Sequence, residues 1–108
     1  MALDTTTLVN AMITAGQNLG GTIWSDMQSY AVTELQKIAT QIVAIEADKA
    51  SYTPAGAQAL LDMQVRATIG VIVAMTTLTL LAVQAALNQI LAAVKTMVNA
   101  AIGFTVIA

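Results

Sequence analysis

Residues 67–83 read ATIGVIVAMTTLTLLAV, and the first charge after Arg66 is Lys95. How this stretch is covered decides the fold, because 28 residues without charge make about 42 Å of helix, more than the ~30 Å of hydrocarbon that roughly 20 apolar residues cross. It holds no proline, and Ala, Leu, Met and Gln recur through it and on to about Ile102. These are good helix formers, so the stretch reads as the interior of one long helix.

The start of that helix lies upstream, at Ser51-Tyr52-Thr53-Pro54. A threonine hydroxyl at position 53 suits an N-cap, and Pro54 suits the first helical position, where a missing N–H costs nothing. Residue 53 is itself pushed out of the helical region by the proline that follows it. Downstream, Gly103 followed by Phe104 reads as a glycine C-cap with its hydrophobic partner. A helix over about 54–102 would be about 73 Å long.

The first half is helical by the same reasoning. Leu8, Met12, Ala15, Leu19, Ile23, Met27, Ala31, Leu35, Ile38, Ile42 and Ile45 recur every three or four residues, which places them on one stripe. Asp4 is a candidate N-cap whose charge suits the positive end of the helix. The weak point is Gly16, Gly20 and Gly21, each costing about 1 kcal/mol in a helix relative to alanine. A kink or break is expected near 16–21, with Ser25-Asp26-Met27-Gln28 as a capping box for the restart. Gly16 and Gly20 also have the spacing that lets helices approach closely.

The expected fold is therefore all-α: one domain over 1–108, a long antiparallel helical hairpin with helices over about 5–51 and 54–102 and a turn at 51–53. In that hairpin Glu34 falls within about one turn (~5.4 Å) of Arg66.

Composition sharpens the problem of cover. The chain is 57% hydrophobic and 9% charged, against roughly 25% charged in ordinary soluble domains. A monomer of this length leaves about a third of its unfolded-state surface exposed. Lipid or other protein chains are then expected to cover the excess. Seven of the ten charges fall between residues 34 and 66, so the hairpin has a wet turn and dry arms. On the second helix Asp62, Arg66, Thr77, Gln84, Asn88, Lys95 and Asn99 form a thin polar seam, their 7 and 4 spacings summing to the eleven-residue period of a nearly straight supercoil. The apolar residues expected to meet a neighbouring copy or lipid are Ile72, Met75, Val83, Ile90, Val94 and Met97. Trp24 and Tyr30 are read as core or subunit packing in preference to a membrane-interface belt.

Several chemistries lose their usual residues. The chain has no cysteine and no histidine, which removes thiolate and imidazole metal sites and the commonest general base. Glu34, Glu46, Asp48 and Asp62 read as a solvated charged tip, and no metal or cofactor is expected. No serine stands beside a base, and GQNLGG lacks the lysine of a phosphate loop. Neither catalysis nor a small-molecule substrate is expected. Four scattered basic residues and a net charge of −2 do not suit nucleic acid. MALDTTTLVNAM carries no basic residue of the kind that opens an export signal, and either an assembled particle or a membrane association is expected.

The reading that follows is a non-catalytic structural protein, a helical hairpin that self-associates through its uncharged arms into an oligomer or filament. The alternatives are a membrane-inserted hairpin, as a pore-forming, lysis or pilin-like subunit, and an adaptor pairing with another helical protein.

Overall fold

A computed structural model describes residues 3–108. Among the described residues the chain is all-helical, with α1 at Thr5–Gln17, α2 at Ile23–Ala47, a single 3₁₀ turn at Lys49–Ser51, α3 at Pro54–Met75 and α4 at Leu80–Ile102. The helices are joined by five residues (18–22), six (48–53) and four (76–79), lengths that return each helix antiparallel to the one before. Each helix packs against the next and α1 closes the square on α4. The bundle measures 40 × 22 × 20 Å.

The local signals lie where they were expected. Asp4 caps α1, its carboxylate accepting from the Thr6 N–H at 3.0 Å and from the Thr7 hydroxyl at 3.0 Å. Thr53 caps α3 through the Gly56 N–H at 3.0 Å, with Pro54 first in the helix. Gly103 ends α4 in the left-handed region at φ 96° and donates its N–H to the Asn99 carbonyl. The turn at 51–53 is present, with Tyr52 and Thr53 extended.

Two expectations are corrected. Residues 54–102 do not run as one helix, because the chain leaves the helix at Thr76–Thr79. Thr76 is extended (φ −128°, ψ 177°), its hydroxyl donating to the Ile72 carbonyl at 2.7 Å and accepting the Leu78 N–H at 3.2 Å. Thr79 then caps α4 through the Ala82 N–H at 3.1 Å. Threonine hydroxyls offer the backbone local partners that compete with the helical ladder, and here they satisfy a tight reversal. In the first half the expected break is present, residues 18–22 separating α1 from α2, and what differs is the restart. The restart begins at Thr22, ahead of the proposed box: Ser25 lies inside α2 and donates to the Thr22 carbonyl, while Asp26 receives the Thr22 hydroxyl.

The consequence is a core the chain makes for itself. Leu8 and Met12 of α1, Met27, Leu35, Ile38, Ile42 and Ile45 of α2, Ile72 of α3, and Val83, Leu87, Ile90 and Val94 of α4 are fully buried together. The accessible surface is 5754 Å², close to the roughly 5,700 Å² that a folded monomer of 11.2 kDa should expose. Four short helices give each helix two neighbours where two long ones would give one, so part of the apolar surface is covered within the chain.

Candidate functional site

With the core accounted for, the unexplained surface is local. Only five of the 22 residues of α3 are buried, namely Ala57, Leu61, Thr68, Ile69 and Ile72. Its opposite face is also apolar: Leu60, Met63, Ala67, Val71 and Ala74 are all exposed, and their steps of 3, 4, 4 and 3 residues put them on one stripe. Met63 is 67% exposed. Apolar residues on both faces are the mark of a helix surrounded by cover, and α3 has it on one side only.

The second feature is the apex where α3 turns into α4. Leu81 is 78% exposed, Met75 55% and Leu80 53%, with Leu78 partly buried beside them. The apex lies at the end of the bundle opposite the termini. The far end is tied together by the Leu3 N–H on Glu46 at 2.8 Å, Lys49 on the Ala101 carbonyl at 3.3 Å and Gln58 on the Thr105 carbonyl at 2.6 Å.

The residues expected to meet a partner divide. Ile72, Val83, Ile90 and Val94 are fully buried in the chain's own core. Met75 and Met97 remain accessible. Gly16 is close-packed within the chain, a methyl there overlapping the Trp24 ring, whereas Gly20 faces open space and Gly21 takes φ 69° in the loop. Trp24 is accordingly a core residue.

The polar seam is folded into several roles. Asp62, Asn88 and Lys95 line one open groove of about 730 Å³ between α3, α4 and the C-terminal tail, floored by Leu61, Val65, Leu91, Val106 and Ile107. Asn99 clasps that tail, its amide oxygen accepting from the Val106 and Ile107 N–H groups at 2.8 and 3.0 Å while its NH₂ donates to the Ile107 carbonyl at 3.0 Å. Gln84 is exposed on α4, and Thr77 in the 76–79 connection.

The acidic side chains each have local work. Glu34, nearly buried on α2, accepts from Lys37 at 2.8 Å, and Asp62 accepts from Arg66 at 2.7 Å. The Glu34–Arg66 pair therefore does not form, because each partner has a nearer ion three or four residues along its own helix. Asp48 receives the Ser51 hydroxyl at 2.9 Å. No three acids gather where a cation could be held among the described residues. The hydroxyl of Thr68, buried in α3, has no hydrogen-bond partner.

Sequence reasoning missed Leu60, Met63, Leu80 and Leu81 as surface residues. The available signal was Thr79 ahead of the apolar run Leu80-Leu81-Ala82-Val83, an N-cap pattern. No protein-family model matches the chain, no curated protein is significantly similar to it, and no solved structure matches its fold.

Proposed function

We propose that this chain is a non-catalytic structural bundle that assembles with copies of itself through the outer face of α3. The observation that carries the reading is the uncovered apolar stripe of Leu60, Met63, Ala67, Val71 and Ala74 on a helix with five buried residues in 22.

A second copy suits this face better than lipid does. The stripe runs along the side of the bundle past the exposed Asp62–Arg66 pair, so sinking it in hydrocarbon would take two charges with it. Against a second α3 the pair stays at the rim. The stripe is also self-complementary. A two-fold antiparallel crossing at Ala67 sets Leu60 of one copy opposite Ala74 of the other and Met63 opposite Val71, with small residues at the centre where the helices come closest. Such a contact is isologous and closes as a dimer; a further, non-closing contact would extend it to a filament. The long antiparallel hairpin expected from the sequence enters this reading as an open form, reached by straightening 18–22 and 76–79, in which arms exchange between copies.

The test is sedimentation velocity of the wild type and of a Met63→Lys, Val71→Lys double variant across a wide range of concentration. Both positions are exposed, so the variant keeps its helical circular dichroism. The expected result is a wild-type mass above the monomer that rises with concentration and a variant that stays monomeric. A wild type that is monomeric throughout overturns the reading.

A further inference from the structure

Residues 104–108, FTVIA, follow α4 after Gly103 and belong to no helix. Their hold on the bundle is of a particular kind. Val106 and Ile107 are buried, and the hydrogen bonds reach only backbone: the Asn99 amide exchanges three with Val106 and Ile107, and Gln58 donates one to the Thr105 carbonyl. With Leu61 and Leu91, which line the groove beside Val106 and Ile107, Asn99 and Gln58 form a seat for a short apolar segment.

The deep core closes without this segment. The largest fully buried side chains all lie in the four helices, so the packing of the helices on one another does not draw on residues 104–108. Val106, Ile107 and Ala108 border the open groove of about 730 Å³. Gly103, at φ 96°, has no Cβ to restrict the direction in which the chain departs. Segments held by few buried contacts open at a small part of the free energy of global unfolding.

We propose that residues 104–108 are an exchangeable strap, and that the seat on Gln58 and Asn99 takes the same segment from a second copy of the chain. The occupant is identified by the one already there. A strap from another copy makes the same hydrogen bonds and buries the same two side chains, so exchange requires no new contact. A peptide of different sequence would have to reproduce Val106 and Ile107. Within one copy the resident strap wins by proximity, and exchange competes when copies are held at high local concentration. In that respect the proposal rests on the α3 contact. It also supplies the non-closing contact by which α3 pairs would grow: passed from each copy to the next, the strap links them without closing on itself.

The test uses the full chain, which has no cysteine. Ala92 and Ala108 both line the groove and are exposed, so a cysteine at either leaves the core intact. Ala92→Cys copies are mixed in equal amounts with Ala108→Cys copies, equilibrated at high concentration and oxidised. Expected is a mixed disulfide about tenfold more abundant than either like pair, where chance alone gives roughly twofold. Adding Asn99→Ala to the Ala92→Cys copies, which receive the strap, should return the mixed disulfide to chance. A chance yield without that substitution overturns the proposal, as does an excess that Asn99→Ala leaves unchanged. Should Asn99→Ala lower the helical circular dichroism, a second measurement decides. A labelled peptide of residues 103–108 is titrated into wild type and into a Val106→Ser, Ile107→Ser variant, whose own strap no longer seats. Binding to the variant at least about tenfold tighter than to wild type is expected, and a peptide that ignores both overturns the proposal. Wild type that self-associates in sedimentation while giving chance disulfides sinks the strap alone. Wild type that sediments as a monomer yet gives the excess sinks the α3 contact and leaves the strap standing.

Discussion

Three glycines in six residues looked alike in the sequence, and at the residue scale they have three different roles. Gly16 lets the Trp24 ring lie against α1, Gly20 touches nothing, and Gly21 supplies a left-handed turn at φ 69°. Gly16→Ala pushes a methyl into a rigid, buried ring and is expected to cost about 1–3 kcal/mol in urea unfolding. Gly21→Ala should cost about 1 kcal/mol through its backbone, and Gly20→Ala should leave stability within about 0.5 kcal/mol. Equal effects at all three would refute this division. The break itself was legible in the sequence, since glycine weakens any helix. The contact with Trp24 was not, because it depends on how α1 and α2 meet.

At the element scale the decisive event is the loss of helix at Thr76–Thr79. Threonine costs a helix only a few tenths of a kcal/mol, so three of them in four residues permit a break without dictating one. Packing tips the balance: bending there lets α4 bury Val83, Leu87, Ile90 and Val94 against the other helices, a gain of about 1.5–3 kcal/mol for each large side chain. Thr79→Ala alone should lower stability by about 1 kcal/mol through the lost cap. Thr76, Thr77 and Thr79 all replaced by Ala should favour a continuous helix and an arm-exchanged dimer. That dimer would resist dilution and would persist when Met63→Lys and Val71→Lys are added, as read by sedimentation. A triple variant that stays monomeric with those lysines present would show that the break does not rest on the threonines.

At the scale of the whole molecule, stability rests on apolar burial and hardly on charge. The two ion pairs among the described residues are neighbours three and four residues apart on single helices; the exposed Asp62–Arg66 pair belongs to a class that contributes about 0.3–0.5 kcal/mol and is screened by salt, and the nearly buried Glu34 is paired with a lysine that stays exposed. Raising the salt from low to physiological should therefore change the unfolding free energy by less than about 1 kcal/mol. A larger loss, measured by urea titration at the two salt levels, would mean that charges at the termini end hold the bundle together. The same burial makes the remaining exposed apolar residues informative. The bundle covers one face of each helix within the chain, and the outer face of α3 and the α3–α4 apex stand out as the surfaces where large apolar residues stay exposed.

Helix type, the caps at Asp4, Thr53 and Gly103, the turn at 51–53 and the gathering of charge into the middle of the chain were all determined by the sequence alone, since each depends on residues within a turn or two of one another. Tertiary structure alone decided where the charge-free stretch bends, which of its apolar residues face inward, and that Asn99 holds the tail while Leu80 and Leu81 are left outside. Those outcomes turn on burial against helices tens of residues away, and the energy of burial exceeds the local preferences that the sequence displays.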